Sequence, residues 1–270
     1  MALRCVYTDL DGTLLGPRGS LFRGPDGGFS LIQARALEAC DRAGIEVVIM
    51  SGRREGTVAS DARLIGQTSY IYEAGCAVMI DGERSYLTGD WVPAGDTTPA
   101  ERMLDAGIPE LLFERFGERL EWHSPWHHGR VFSHLFRGAV DVAEANAVLG
   151  EHGHDDLRFL DNGTIGRPME GIGTAHAYHL VPGGASKAEG VAFHLRARGY
   201  APQDCISIGD SIEDLETAAA VGRFFCVANG PERDGALREA LARFPNATVT
   251  EGAMGDGVYE AVISTLAERR

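Results

Sequence analysis

The chain has 270 residues, 44% hydrophobic and 24% charged, with a formal net charge of -14; this is ordinary globular composition, long enough for one large domain or a core carrying an inserted one. The acidic balance argues against bulk nucleic-acid or anionic-membrane binding, so a phosphate site would have to be built locally from a metal, a few Lys or Arg and backbone N–H groups. No apolar run approaches the roughly 20 residues of a membrane helix, and the scattered Cys5, Cys40, Cys76, Cys205 and Cys226 read as reduced core thiols of a cytoplasmic protein.

Met1-Ala2-Leu3-Arg4 leads directly into a first strand, leaving no room for a signal peptide. That strand, Val6-Tyr7-Thr8, runs into Asp9-Leu10-Asp11-Gly12-Thr13. Two carboxylates at the carboxyl end of a buried strand lie where open α/β sheets bind ligands. They could hold a hard cation, attack an electrophile or move a proton; alternatively Asp and Gly simply make a turn. Residues 15–29, rich in Gly, Pro and Asp, read as a mobile loop over the site or as a plain surface excursion. Ser30-Leu31-Ile32-Gln33 resembles a capping box, opening a helix that Gly44 stops.

The βα unit then repeats. Residues 45–50 form a second apolar strand ending in Ser51-Gly52-Arg53, where Ser51 and the next helix's N–H groups could meet an anion, although Ser-Gly is also an ordinary turn. Residues 70–80 continue as strand and turn at Asp81-Gly82.

From residue 83 the character changes. Residues 99–116 and 142–151 read as helices, and 119–123, 130–136, 157–160 and 175–180 as strands. About a hundred residues of mixed α/β suffice for a small second domain. Domain bounds of 1–82, 83–181 and 182–270 follow. Within the insert, Trp122, His123, Trp126, His127, His128 and Arg130 suggest a metal site, an aromatic and basic substrate lining, or a half-buried sheet face with solvated His.

Gly183-Gly184-Ala185-Ser186-Lys187 returns to the core, with Ser186 capping a helix whose first turn holds Lys187. A cation there opposes the helix dipole, and a bound phosphate would reward it. Residues 205–208 form another apolar strand, ending in Gly209-Asp210-Ser211-Ile212-Glu213-Asp214. Asp210 and Asp9 offer the oxygen ligands that Mg²⁺ prefers.

In this order the four stretches resemble the signatures of the haloacid dehalogenase superfamily: Asp9-Leu10-Asp11-Gly12-Thr13, Ser51, Lys187 in Gly-x-Ser-Lys, and Asp210 with Asp214. The insert resembles the large α/β (type IIB) cap of its Cof-like subgroup. The resemblance implies an α/β fold, a Rossmann-like parallel sheet with an inserted α/β cap. It implies Asp9 as nucleophile and Asp11 as general acid/base, acting through an aspartyl-phosphate. Leu10, Ser51, Gly52 and Lys187 would bind the substrate phosphate; Asp9, Asp11 and Asp210 would hold Mg²⁺; Asp214 would orient Lys187 or a metal-bound water. The expected activity is hydrolysis of a small phosphate monoester, a sugar phosphate first among the classes, by a monomer or homodimer. A sugar phosphomutase and a phospho-ligand binding module are the alternatives. Two positions depart from the family pattern: Ala74 stands in Glu-Ala-Gly-Cys where relatives carry Asn, and Glu213 stands where Asn commonly precedes the final Asp.

Overall fold

The computed structural model describes residues 2–268. The chain opens with β1 (Cys5–Thr8), α1 (Ile32–Arg42), β2 (Glu46–Met50), α2 (Glu55–Leu64), β3 (Tyr70–Tyr72), β4 (Ala77–Ile80) and β5 (Glu83–Tyr86). The insert supplies α3 (Pro99–Asp105), α4 (Ile108–Phe116), β6 (Leu120–Trp122), β7 (His134–Gly138), α5 (Val142–Glu151), β8 (Leu157–Ile165) and β9 (Ala175–Pro182). The chain returns through α6 (Lys187–Arg198), β10 (Cys205–Gly209), α7 (Ile212–Leu215), β11 (Arg223–Cys226), α8 (Asn229–Arg233), α9 (Gly235–Leu241), β12 (Ala247–Val249) and α10 (Met254–Glu268).

Eight strands form one sheet in the order β12–β11–β10–β1–β2–β3–β4–β5. It is parallel from β12 to β3, and β4 and β5 add antiparallel. Helices cover the central strands on both faces, so β1 and β10 are buried throughout and read as mostly apolar runs, interrupted by Thr8 and Ser207. The winding reverses at β1, between β10 and β2, the kind of switch point at which open α/β sheets bind ligands. The insert forms its own antiparallel sheet, β6–β7–β9–β8, around Met103, Leu112, Phe136, Phe159, Tyr178 and Leu180. The architecture is the α/β core with an α/β cap that the sequence led us to expect.

Several local expectations are corrected. Residues 70–80 are two strands rather than one, because Glu73, Ala74 and Gly75 all take positive φ and turn the chain back on itself. Residues 99–116 are two helices, broken where Gly107 adopts φ 70° ahead of Pro109. Ser30 is no capping box: α1 starts at Ile32, whose N–H donates to Ser30 Oγ. Strand β5 pairs antiparallel with β4 at the edge of the large sheet.

Candidate active site

The carboxyl ends of β1, β2 and β10 and the start of α6 converge on one buried cluster. Lys187 Nζ donates to Asp9 Oδ1 at 2.9 Å and to Asp214 Oδ1 at 2.7 Å, bridging segments 178 residues apart. Lys187 is 1% exposed. Burial alone would lower its pKa, but the carboxylates of Asp214, Asp9 and Glu213 outweigh burial and hold it well above the ordinary value, so the ammonium stays charged.

Asp9, Asp210 and Asp214 each bring an oxygen within 4.8 Å of the others. Burial pushes Asp9 up to about 7, against the pull of Lys187. Burial, then the charges of Asp9 and Asp214, raise Asp210 as well. Among the described residues the Asp210 carboxylate receives long hydrogen bonds only, from Thr13 Oγ1 at 3.4 Å and Asn229 Nδ2 at 3.3 Å, so its oxygens keep accepting capacity. Asp214 is committed differently: its Oδ2 accepts from the backbone N–H of Asp210 and Ser211 and from Ser211 Oγ. A set of hard oxygens with one Lys between them fits Mg²⁺, which would relieve the repulsion between Asp9 and Asp210. Gly12 is required where it sits, since at φ 85° an added Cβ would lie 2.3 Å from Asp210 Oδ2.

Ser51 ends β2 beside β1; it is 2% exposed, and its Oγ accepts from the Arg53 N–H. Leu10 is buried, with its carbonyl accepting from Thr13 and Leu15. Asp11 is the member turned aside. Its exposed carboxylate accepts two hydrogen bonds from Arg53, at 2.7 and 2.6 Å, and Arg53 also pairs with Asp61. The loop of residues 15–29 is folded rather than loose: short bridges join Gly16 to Ser20 and Arg23 to Phe29, and Gly19 stands over the Arg53–Asp11 pair.

Glu73 and Asn229 escaped sequence reading as site residues, and Arg130 and Glu213, both singled out there, acquire partners or surroundings that it did not give. Glu73, fully buried, accepts the backbone N–H groups of Val131, Phe132 and Ser133 and the Ser133 hydroxyl, fastening the cap to the core. Arg130 donates to the Gly52 carbonyl at 2.9 Å. Asn229 donates to the Gly12 carbonyl and accepts from the Met254 N–H, tying the first loop to α10. The signal for Glu73 was its Glu-Ala-Gly-Cys context; for Arg130, membership of the Trp/His cluster. Glu213 is 4% exposed, lies 3.8 Å from Lys187 Nζ, and neither of its oxygens has a hydrogen-bond partner.

A family model for haloacid dehalogenase-like hydrolases matches residues 173–257. The phosphoglycolate phosphatase of Methanoculleus marisnigri is 25% identical over 269 residues, spanning 96% of this chain and 95% of that protein. That of Methanospirillum hungatei is 29% identical over 85% of this chain and 86% of its own length. Among solved structures, sucrose-phosphatase from Synechocystis, in complex with sucrose and phosphate, superposes with a TM-score of 0.70 at 14% identity over 98% of both chains. The subclass IIB sugar phosphatase BT4131 does so at 0.60 and 15% identity, again over 98% of both. With the four signature stretches gathered at the strand ends of this fold, the chain is similar to haloacid dehalogenase-like hydrolases over residues 173–257 and to phosphatases over most of its length, a likeness that supports phosphatase activity.

Proposed function

We propose that the protein is a Mg²⁺-dependent phosphatase of a small phosphate monoester, working through an aspartyl-phosphate on Asp9. The observation that carries this reading is the buried Lys187 bridging Asp9 and Asp214, with Asp210 in the same cluster. Lys187 and Ser51 hold the phosphate oxygens, and Leu10 and Gly52 border them. An Asp9 oxygen attacks phosphorus; the P–O ester bond breaks as Asp11 gives its proton to the departing alcohol. Asp11 then takes a proton from water, whose oxygen attacks the same phosphorus and frees Asp9 and inorganic phosphate. For this Asp11 must leave Arg53 and turn toward Asp9. Asp9, Asp210 and the Asp11 carbonyl would hold Mg²⁺, which supplies charge stabilisation on the transferring phosphoryl group. Asp214 keeps Lys187 in place.

The test is phosphate release from 2-phosphoglycolate, hexose phosphates and nucleoside monophosphates, with Mg²⁺ and with chelator, in wild type and Asp9→Asn. Release requiring both Mg²⁺ and Asp9 supports the reading. Full activity in Asp9→Asn overturns the nucleophile, and isomerisation of a hexose phosphate without free phosphate would mark a mutase.

A further inference from the structure

The phosphate chemistry occupies the carboxyl ends of the strands. At their opposite ends a second group of potential ligands is enclosed between the large sheet and α6. Cys5, the first residue of β1, is the register partner of Glu46 in β2 on one side and of Cys205 in β10 on the other. Register partners in a parallel sheet point to the same face, so the three side chains stand in a row. Tyr7, two residues on, shares that face, and its hydroxyl and Nδ1 of His194 in α6 are hydrogen-bonded at 2.8 Å, which seats the imidazole over the row. One donor atom each from Cys5, Glu46 and His194 lie within 4.8 Å of one another. Cys5, Cys205 and His194 are fully buried, whereas the Glu46 side chain is 16% exposed and gives the group an edge on solvent.

His194 Nε2 has no hydrogen-bond partner among the described residues, and buried polar atoms are nearly all paired, so this nitrogen marks a place where a partner belongs. It stands 3.4 Å from Glu46 Oε1 without the alignment of a hydrogen bond. Two ligands held by one tetrahedral Zn²⁺ at bond lengths of about 2.0–2.1 Å are separated by about 3.3–3.5 Å. The groups around the cluster orient it as second partners orient metal ligands. With His194 Nδ1–H donating to the Tyr7 oxygen, Nε2 presents its lone pair, and the Tyr7 hydroxyl is free to donate to the Cys5 sulfur with which it interacts. Glu46 is fixed by Arg198 and Ser69 at Oε1 and by Tyr200 at Oε2. Cys205, whose thiol interacts with that of Cys5, is at hand for a fourth position. A set of sulfur, nitrogen and oxygen donors suits Zn²⁺ rather than Mg²⁺. The aromatic and histidine cluster of the cap offers nothing comparable: Trp122 stacks on Phe136 at 4.7 Å and on His127 at 5.2 Å, and among the described residues no grouping of potential metal ligands includes His123, His127 or His128.

We propose that Cys5, Glu46 and His194, with Cys205 completing the tetrahedron, bind a structural Zn²⁺ that clips α6 to β1, β2 and β10. The ion binds the sulfurs as thiolates, and their protons leave to solvent. The site is separate from the catalytic one, since Asp9 lies beyond the far end of β1, about 13 Å from Cys5 along the strand. With chelator present, Glu46 keeps its hydrogen bonds from Arg198, Ser69 and Tyr200. The test strips the purified chain with chelator, keeps it reduced with a phosphine, and titrates it with Co²⁺ in excess Mg²⁺, which competes for the oxygen ligands at Asp9 and Asp210. Saturation near about one ion per chain is expected, with the near-ultraviolet thiolate-to-cobalt absorption that oxygen ligands cannot produce, and Zn²⁺ should displace the cobalt. Cys5→Ser and, separately, His194→Gln are expected to weaken Zn²⁺ binding by at least about tenfold. Zn²⁺ should raise the urea midpoint of wild type and leave that of Cys5→Ser unmoved. Cobalt bound without thiolate absorption overturns the site, as does a Zn²⁺ affinity that both variants retain while folded. The cobalt spectrum of wild type needs no substitution, so it decides the matter even where a variant fails to fold.

Discussion

Glu213 shows what a single residue can and cannot disclose. That an acid precedes Asp214 is plain in the sequence; that it is buried 3.8 Å from Lys187 with neither oxygen hydrogen-bonded among the described residues is not. Burial pushes its carboxyl up to about 7, although Lys187 pulls the other way. Because the folded value lies above the unfolded one of about 4.5, deprotonation opposes folding, and the penalty grows as pH rises from about 4.5 to 7. Glu213→Gln keeps the shape and removes the charge. With chelator present, the variant should match wild-type thermal stability near pH 4.5 and exceed it by roughly 2–6 °C near pH 8. Melting curves across that range check it, and a gap independent of pH would contradict the origin assigned to it. Asp9 and Asp11 could be singled out from local context alone, whereas the contact of Lys187 with Asp9 spans 178 positions and was not among the expectations, which set Lys187 on a phosphate.

At the scale of an element, the turn between β3 and β4 supports the start of α6, where Lys187 stands. Gly75 has φ 88°, and a Cβ there would stand 1.9 Å from the Ser186 carbonyl oxygen and 2.7 Å from the Lys187 nitrogen, the first residues of α6. Gly75→Ala should therefore lower stability by about 3 kcal/mol or more and reduce kcat by shifting Lys187. Gly66 gives the control: its φ is 76° with nothing near its Cβ position, so Gly66→Ala should lose only the roughly 1–2 kcal/mol of a left-handed alanine. Denaturant unfolding of both variants isolates the contact, and equal losses would contradict the proposed support. The sequence hid this turn for a physical reason. Tyr70 to Ile80 is apolar almost throughout because both strands and the turn itself are buried, so hydrophobicity could not mark where the chain reversed. The break at Gly107 carried a visible Gly-Ile-Pro signal, yet helical spacing on either side concealed it.

Over the whole molecule, the large sheet separates chemistry from anchorage. The strand ends at Asp9, Ser51 and Asp210 face the cap, while at the opposite end Glu46, the first residue of β2, ties three elements together. Its carboxylate accepts from Arg198 and Ser69 at 2.9 Å and from Tyr200 at 3.0 Å. Burial would raise its pKa, but the neighbouring His194, Arg198 and Ser69 prevail and hold it at about 2. A parallel sheet could be anticipated from βα repetition; this anchor could not, since a Glu opening an apolar strand looks like a solvent-facing end. A folded-state pKa below the unfolded value means stability present above about pH 4.5 and lost as pH falls toward 2. Glu46→Gln should thus weaken the protein by about 2 kcal/mol at pH 7, and the difference from wild type should shrink through pH 4 and vanish near pH 2. Urea unfolding at several pH values reads this directly. At pH 7 kcat should hold, because the anchor lies across the sheet from the reacting groups; a loss of kcat in a variant that remains folded would show that the two ends of the sheet are coupled.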